Sequence, residues 1–185
     1  MIHRQYRLSA RVILVLATFL VGVATIAAAA ETFRNTVDGS ELDLSKAQAG
    51  EKPDAVETFE QTGKNPLNGD EGSIEKGKEE FLVACAGCHG HHAKGKLGPS
   101  LIDDYWTYPA NAEDKGLFST IFGGARAQMG PHYMSMTKTE MLETMAFLRD
   151  IYEGKASKAE WLDLEGKKAL IKERKRDQSE GEGDA

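Results

Sequence analysis

The sequence predicts an all-α, single-domain fold, and three observations carry that prediction. Apolar residues recur at helical spacing in separate segments after residue 70. Thr137 followed by Glu140 makes a capping box ahead of the apolar stripe Met141, Leu142, Met145, Phe147, Leu148, Ile151 and Tyr152. No run shows the strict alternation of a half-buried strand, and no internal repeat appears.

The elements follow in chain order. Residues 1–30 begin with His3, Arg4, Arg7 and Arg11, continue through an apolar middle, and close on Ala27-Ala28-Ala29-Ala30. That order reads as a secretory signal peptide with cleavage after Ala30, so the remainder is exported and free of the membrane. Residues 31–72 are polar, with turns at Asp38-Gly39-Ser40, Gly50-Glu51-Lys52-Pro53 and Asn65-Pro66-Leu67-Asn68-Gly69. They are expected to form an N-terminal extension on the surface of the core, with one helical turn around Ala55 to Gln61. The core domain is expected over 73–154. Ser73 is the expected N-cap of a first helix in which Ile74, Gly77, Phe81 and Cys85 share a face. A glycine-rich loop with Tyr105-Trp106-Thr107-Tyr108 follows over 90–110. A second helix is expected from Glu113 to Phe122, stopped by Gly123-Gly124. A third starts at Thr137 and ends near Gly154. A C-terminal extension, 155–185, is expected to hold a helix from about Ser157 to Arg176, packed through Trp161, Leu162, Leu164, Leu170 and Ile171. Its acidic, glycine-rich end, Ser179 to Ala185, is expected to be disordered.

The 23 basic and 29 acidic residues give a net charge of −6. Removing the three arginines of residues 1–30 makes it −9. Such a balance speaks against nucleic acid and for a carrier whose partner presents positive surface.

Cys85 and Cys88 are the only cysteines. A structural disulfide between them would close a tiny loop and restrain little of the unfolded chain. With the next residue they read Cys85-Ala86-Gly87-Cys88-His89, the C-x-x-C-H attachment motif of c-type haem. Two thiols at that spacing bind one porphyrin edge, and the following histidine reaches the iron as proximal ligand. Two competing readings fit less well. A thioredoxin-like Cys-x-x-Cys follows a strand inside a βαβ unit, whereas a helix leads into this motif. A zinc site wants well-spaced ligands, whereas His89, His91 and His92 crowd the cysteines.

The sixth iron ligand has eight candidates: Met129, Met134, Met136, Met141, Met145, His91, His92 and His132. His91 and His92 follow His89 too closely to cross to the other haem face. Met141 and Met145 belong to the stripe of the third helix, and Met134 and Met136 adjoin its start. Met129 sits in a loop followed by Gly130-Pro131, where glycine permits close backbone approach, and it is the preferred ligand. With both axial positions filled, the function that follows is outer-sphere electron transfer rather than catalysis. A peroxidase or gas sensor is the alternative if Met129 is displaced. The Pro99 carbonyl is the expected acceptor for the free Nδ1–H of His89.

The order of helix with Gly77 and Phe81, C-A-G-C-H, L-G-P-S-L, methionine loop and closing helix resembles the class I cytochromes c over roughly residues 73–152. The block from Asp103 to Pro131, D-D-Y-W-T-Y-P-A-N-A-E-D-K-G-L-F-S-T-I-F-G-G-A-R-A-Q-M-G-P, is similar to the cytochrome c-L family, as are F-R-N-T-V-D-G, T-G-K-N-P-L-N-G and K-A-E-W-L. The resemblance implies a class I core whose first and last helices cross near Gly77. It implies one haem c on Cys85 and Cys88, with His89 and Met129 as axial ligands. It implies a periplasmic protein of methanol utilization, an electron acceptor of quinoprotein methanol dehydrogenase and a donor to a downstream cytochrome c and oxidase. A lanthanide-type methanol dehydrogenase or another quinoprotein alcohol dehydrogenase is the alternative donor.

Overall fold

The structure is a computed structural model that describes residues 31–181; the expected signal peptide lies outside them. Six α-helices follow one another: α1 (Pro53–Thr62), α2 (Glu71–Ala84), α3 (Ala86–His89), α4 (Asp114–Gly123), α5 (Lys138–Asp150) and α6 (Leu164–Gly181). Four 3-10 turns are interspersed, and the only extended pairing among the described residues is the bridge between Arg34 and Glu41. The all-α expectation therefore holds.

Local chemistry sets the helix ends. Pro53 opens α1, where its missing N–H costs nothing, and Gly63 closes it with φ 68°. Helix α2 is capped by Asp70, not Ser73. The Asp70 carboxylate accepts from the Ser73 amide at 2.9 Å and from its hydroxyl at 2.5 Å, so Ser73 is a buried partner inside the first turn. The capping box of α5 forms as expected: Thr137 N donates to Glu140 Oε2 at 2.6 Å, and Glu140 N to Thr137 Oγ1 at 3.3 Å.

Helix α5 ends at Asp150, with Ile151 as its C-cap, rather than near Gly154. The amides of Glu153 and Gly154 donate to the Ile102 carbonyl at 2.7 and 3.1 Å, which draws the chain off the helix axis. Gly154 is needed for space, because a Cβ there would meet Tyr152 Oη at 2.3 Å. The last helix starts at Leu164, so Trp161 and Leu162 precede it. Leu164 and Ile171 are 68% and 45% exposed, contrary to the packing role expected of them. Helix α6 reaches Gly181, into the stretch expected to be disordered; residues 182–185 lie outside the described ones.

Helices α2 and α5 make the main crossing. A Cβ on Gly77 would lie 1.8 Å from the Glu143 carbonyl oxygen, so the two backbones touch there. Phe81 packs on Phe147 beside that contact, with ring centroids 5.5 Å apart. A second aromatic cluster runs Phe33, Phe59, Phe118, Phe122 and Tyr133, with successive centroids 4.8 to 5.7 Å apart. Phe33 and Phe59 are 3% and 0% exposed, so residues 31–72 complete the core rather than lie on it. Their scattered aromatic and apolar side chains lack a period, which is why sequence reasoning left them outside.

A buried polar node ties these layers together. Arg149 of α5 donates to Asp114 Oδ1 at 3.0 Å and to the Asn111 carbonyl at 3.1 Å. Asp114 Oδ2 accepts from Asn65 N and Asn68 Nδ2 at 3.0 and 2.9 Å. The Arg149 guanidinium lies 4.0 Å from the Trp161 ring centroid, so the C-terminal residues are anchored on the same cation.

Candidate haem site

The site is built by the junction of α2 and α3 and by the loop that folds back over it. Phe81 pins the end of α2 in the core, and Cys85 follows four residues later on the same face. Cys85 then caps α3, and His89 ends it, 8% exposed. The turn is closed by His89 N to the Cys85 carbonyl at 3.0 Å and Gly90 N to the Ala86 carbonyl at 2.9 Å. Both thiols are free; Cys85 is half-buried and Cys88 exposed.

The loop after His89 returns because its amides satisfy the carbonyls at the end of α3. Leu97 N and Gly98 N both donate to the Cys88 carbonyl, at 3.0 and 2.9 Å, and Gly95 N donates to the His89 carbonyl at 2.8 Å. Ala93 sits fully buried at φ 54°, a strained backbone that turns the loop inward. This folding sets Pro99 beside the imidazole, and His89 Nδ1 donates to the Pro99 carbonyl at 2.8 Å. Gly98 makes the approach possible: a Cβ there would lie 2.6 Å from His89 Cε1. The bond fixes the ring and leaves Nε2 as the nitrogen with a lone pair for a metal.

Met129, half-buried, lies in the loop after α4. Its carbonyl accepts from Ala125 N at 2.9 Å, and the Arg126 amide donates to Tyr108 Oη at 3.1 Å. Gly124, at φ 79°, is required because a Cβ would meet the Met129 carbonyl at 2.8 Å. The 3-10 turn His132–Met134 follows. His132 is half-buried, and its pKa is lowered first by burial and then by the charge of His89, so the two imidazoles are within electrostatic reach. Met134 is 74% exposed, whereas Met136, Met141 and Met145 are buried in the core, as the bland reading of the last two required. His91 and His92 are exposed.

The thiol chemistry bears on one competing reading. Burial, then Cys88 and Glu80, push the Cys85 thiol up to about 11. A redox nucleophile needs the opposite shift. Among the described residues no three His, Cys, Asp or Glu side chains converge to hold a metal ion. A haem, which takes the cysteines as thioethers and the histidine through Nε2, fits the donor set. One further observation agrees. Leu97, 76% exposed beside Cys88, offers apolar surface. Trp106, whose ring lies 5.5 Å from the Arg149 guanidinium, has its Nε1 buried without a hydrogen-bond partner among the described residues. Sequence reasoning missed Trp106; a lone indole in an aromatic loop gives no sign that its N–H will be orphaned.

Comparisons with known proteins bear on the same residues. The family model described as cytochrome C oxidase, cbb3-type, subunit III, matches residues 72–148, from the start of α2 through most of α5. The cytochrome c-L of Methylorubrum extorquens is 50% identical over 138 residues, 74% of this chain and 70% of that protein. The crystal structure of cytochrome CL from the marine methylotrophic bacterium Methylophaga aminisulfidivorans superposes with a TM-score of 0.72 at 58% identity, over 74% of this chain and 91% of that one. Cytochrome cL from Hyphomicrobium denitrificans gives 0.69 at 48% identity, over 76% and 84%. Sequence identity at this level, carried on the same helical frame around a C-x-x-C-H turn, places the chain in the cytochrome c-L family of class I c-type cytochromes.

Proposed function

We propose that this chain is an exported, periplasmic carrier of single electrons from a quinoprotein methanol dehydrogenase to a downstream cytochrome c. One haem c is joined to Cys85 and Cys88 and ligated by His89 and Met129. The observation that supports this best is the His89–Pro99 hydrogen bond of 2.8 Å on a turn flanked by two free cysteines. When bound, the haem supplies reversible Fe(III)/Fe(II) exchange. The polypeptide supplies the rest. Pro99 holds His89 in one tautomer and orientation, Gly124 and Tyr108 hold the Met129 loop, and burial limits reorganisation around the ligands. A filled sixth position leaves no open site for substrate, hence a carrier rather than an enzyme.

His132, half-buried in the turn that follows the Met129 loop, is the alternative ligand, a nitrogen donor. One experiment separates the two. The oxidised holoprotein is expected to show a sulfur-to-iron charge-transfer band at the red end of the spectrum. That band should vanish in Met129→Ala and persist in His132→Ala; a band absent from the parent protein assigns the ligand to nitrogen. Stopped-flow reduction by methanol dehydrogenase plus methanol, across a salt series, tests the donor. An intact spectrum without reduction would turn the assignment to another quinoprotein alcohol dehydrogenase.

A further inference from the structure

The basic charge of this chain is gathered at its C-terminal side. Residues 31–154 carry 12 lysines and arginines against 21 aspartates and glutamates, residues 155–176 carry 8 against 4, and residues 177–185 carry none against 4. The second group includes most of α6, and the structure sets that helix beside the motif loop. Arg174 donates from Nη1 to the Gly154 carbonyl at 2.5 Å and from Nη2 to the Tyr152 carbonyl. Glu153, between those two residues, pairs with Lys94 at 2.9 Å, and Lys94 belongs to the loop that wraps His89.

Helical geometry decides which side of α6 faces out. At about 3.6 residues per turn, Lys167, Leu170 and Arg174 share the half-buried side. Lys168, Lys172 and Lys175 fall on the opposite, exposed side, with Leu164 and Ile171 alongside them. The carboxylates of the helix, Glu165, Glu173, Asp177 and Glu180, cancel this face only in part. Glu165 pairs with Lys168 at 2.8 Å. Glu173 is exposed, and its charge adds to the rise that burial imposes on the Asp150 carboxyl.

We propose that the outer face of α6, continuous with Lys94 and Lys96, is a docking surface for an acidic redox protein. Charge complementarity selects the partner's sign, and the two exposed apolar side chains supply the anchors such a contact needs at its centre. An anionic membrane is the poorer occupant: residues 164–181 contain no aromatic side chain, and two exposed apolar residues bury little in a lipid interface. The redox character of the partner rests on the haem reading above; the sign of the surface does not.

The test uses the intact holoprotein in its ferrous state and the paramagnetic anion hexacyanochromate(III) as probe. Line broadening of amides 168–175 and 94–96 at low salt, reversed by high salt and lost in the Lys168→Gln, Lys172→Gln, Lys175→Gln triple variant, is the expected result. Broadening confined to other residues would overturn the proposal. Poly-L-glutamate should bind the parent at least about tenfold more tightly than the triple variant, whose optical spectrum should be unchanged. Capture by phosphatidylglycerol vesicles with no binding to poly-L-glutamate would overturn it in favour of a membrane surface. A protein lacking a haem spectrum would refute the haem reading alone, since the broadening pattern is read independently of it.

Discussion

Gly98 governs how His89 is held, because the loop backbone lies against the imidazole and any side chain would occupy ring space. Gly98→Ala is expected to push the loop away and lengthen the bond to Pro99. Loss of such a bond behind a metal ligand typically costs tenfold or more, so reduction by the donor should slow by about tenfold and the ferric spectrum should gain high-spin character. The need for a small residue ahead of Pro99 was not legible in L-G-P-S-L itself; it arises where the loop meets the ring. Asp70 makes a different residue-scale statement. Its pKa is lowered by the Ser73 hydroxyl and then the Ser73 amide. A depressed carboxyl stabilises the fold above its unfolded pKa, and that contribution is lost as pH falls through the folded value. Asp70→Asn keeps an N-cap acceptor but removes the titration. The drop in Tm between pH 7 and about pH 3, followed by circular dichroism, should therefore be smaller in the variant than in the parent.

At the scale of elements, the α2–α5 crossing and the α5 cap carry unequal weight. Gly77→Ala forces a methyl into the Glu143 carbonyl, and backbone cannot yield as a side-chain tip can. A cost of at least about 1–3 kcal/mol is expected in denaturant unfolding of the ferric holoprotein. Thr137→Ala removes one cap acceptor at a half-buried position and should cost about 1 kcal/mol. Equal losses would mean that the crossing relaxes. The cap was legible because Thr-x-x-Glu acts within four residues. The start of α2 was misread because Asp70 and Ser73 both look like caps, and only the direction of their hydrogen bond distinguishes them. The end of α5 was misread because a distant carbonyl, that of Ile102, pulls Glu153 and Gly154 out of line.

For the whole molecule, the polypeptide core has two aromatic halves, and the motif turn stands at the edge of one of them. Phe59→Ala, in the half supplied by the N-terminal residues, is expected to cost about 3–5 kcal/mol, as for a fully buried ring. A merely superficial extension would lose far less. Haem is expected to supply much of the remaining interior. The Cys85→Ala, Cys88→Ala double variant should therefore lack cooperative melting and most helical circular dichroism. A native-like melt in that variant would show that the polypeptide core suffices alone.

The sequence by itself determined the helical class, the haem-attachment motif with its cysteines and histidine, the α5 cap and the family resemblance. Each depends on residues adjacent in the chain or spaced by one helical turn, so local chemistry writes them into the order of residues. The tertiary structure decided the rest. It drew residues 31–72 into the core, joined Asp114 to Arg149, left Trp106 Nε1 without a hydrogen-bond partner among the described residues and set His132 within electrostatic reach of His89. It also turned the lysines of α6 outward beside the motif loop. These are relations between side chains dozens of residues apart. They exist only once burial and backbone hydrogen bonding have fixed which surfaces meet, and no local spacing encodes them.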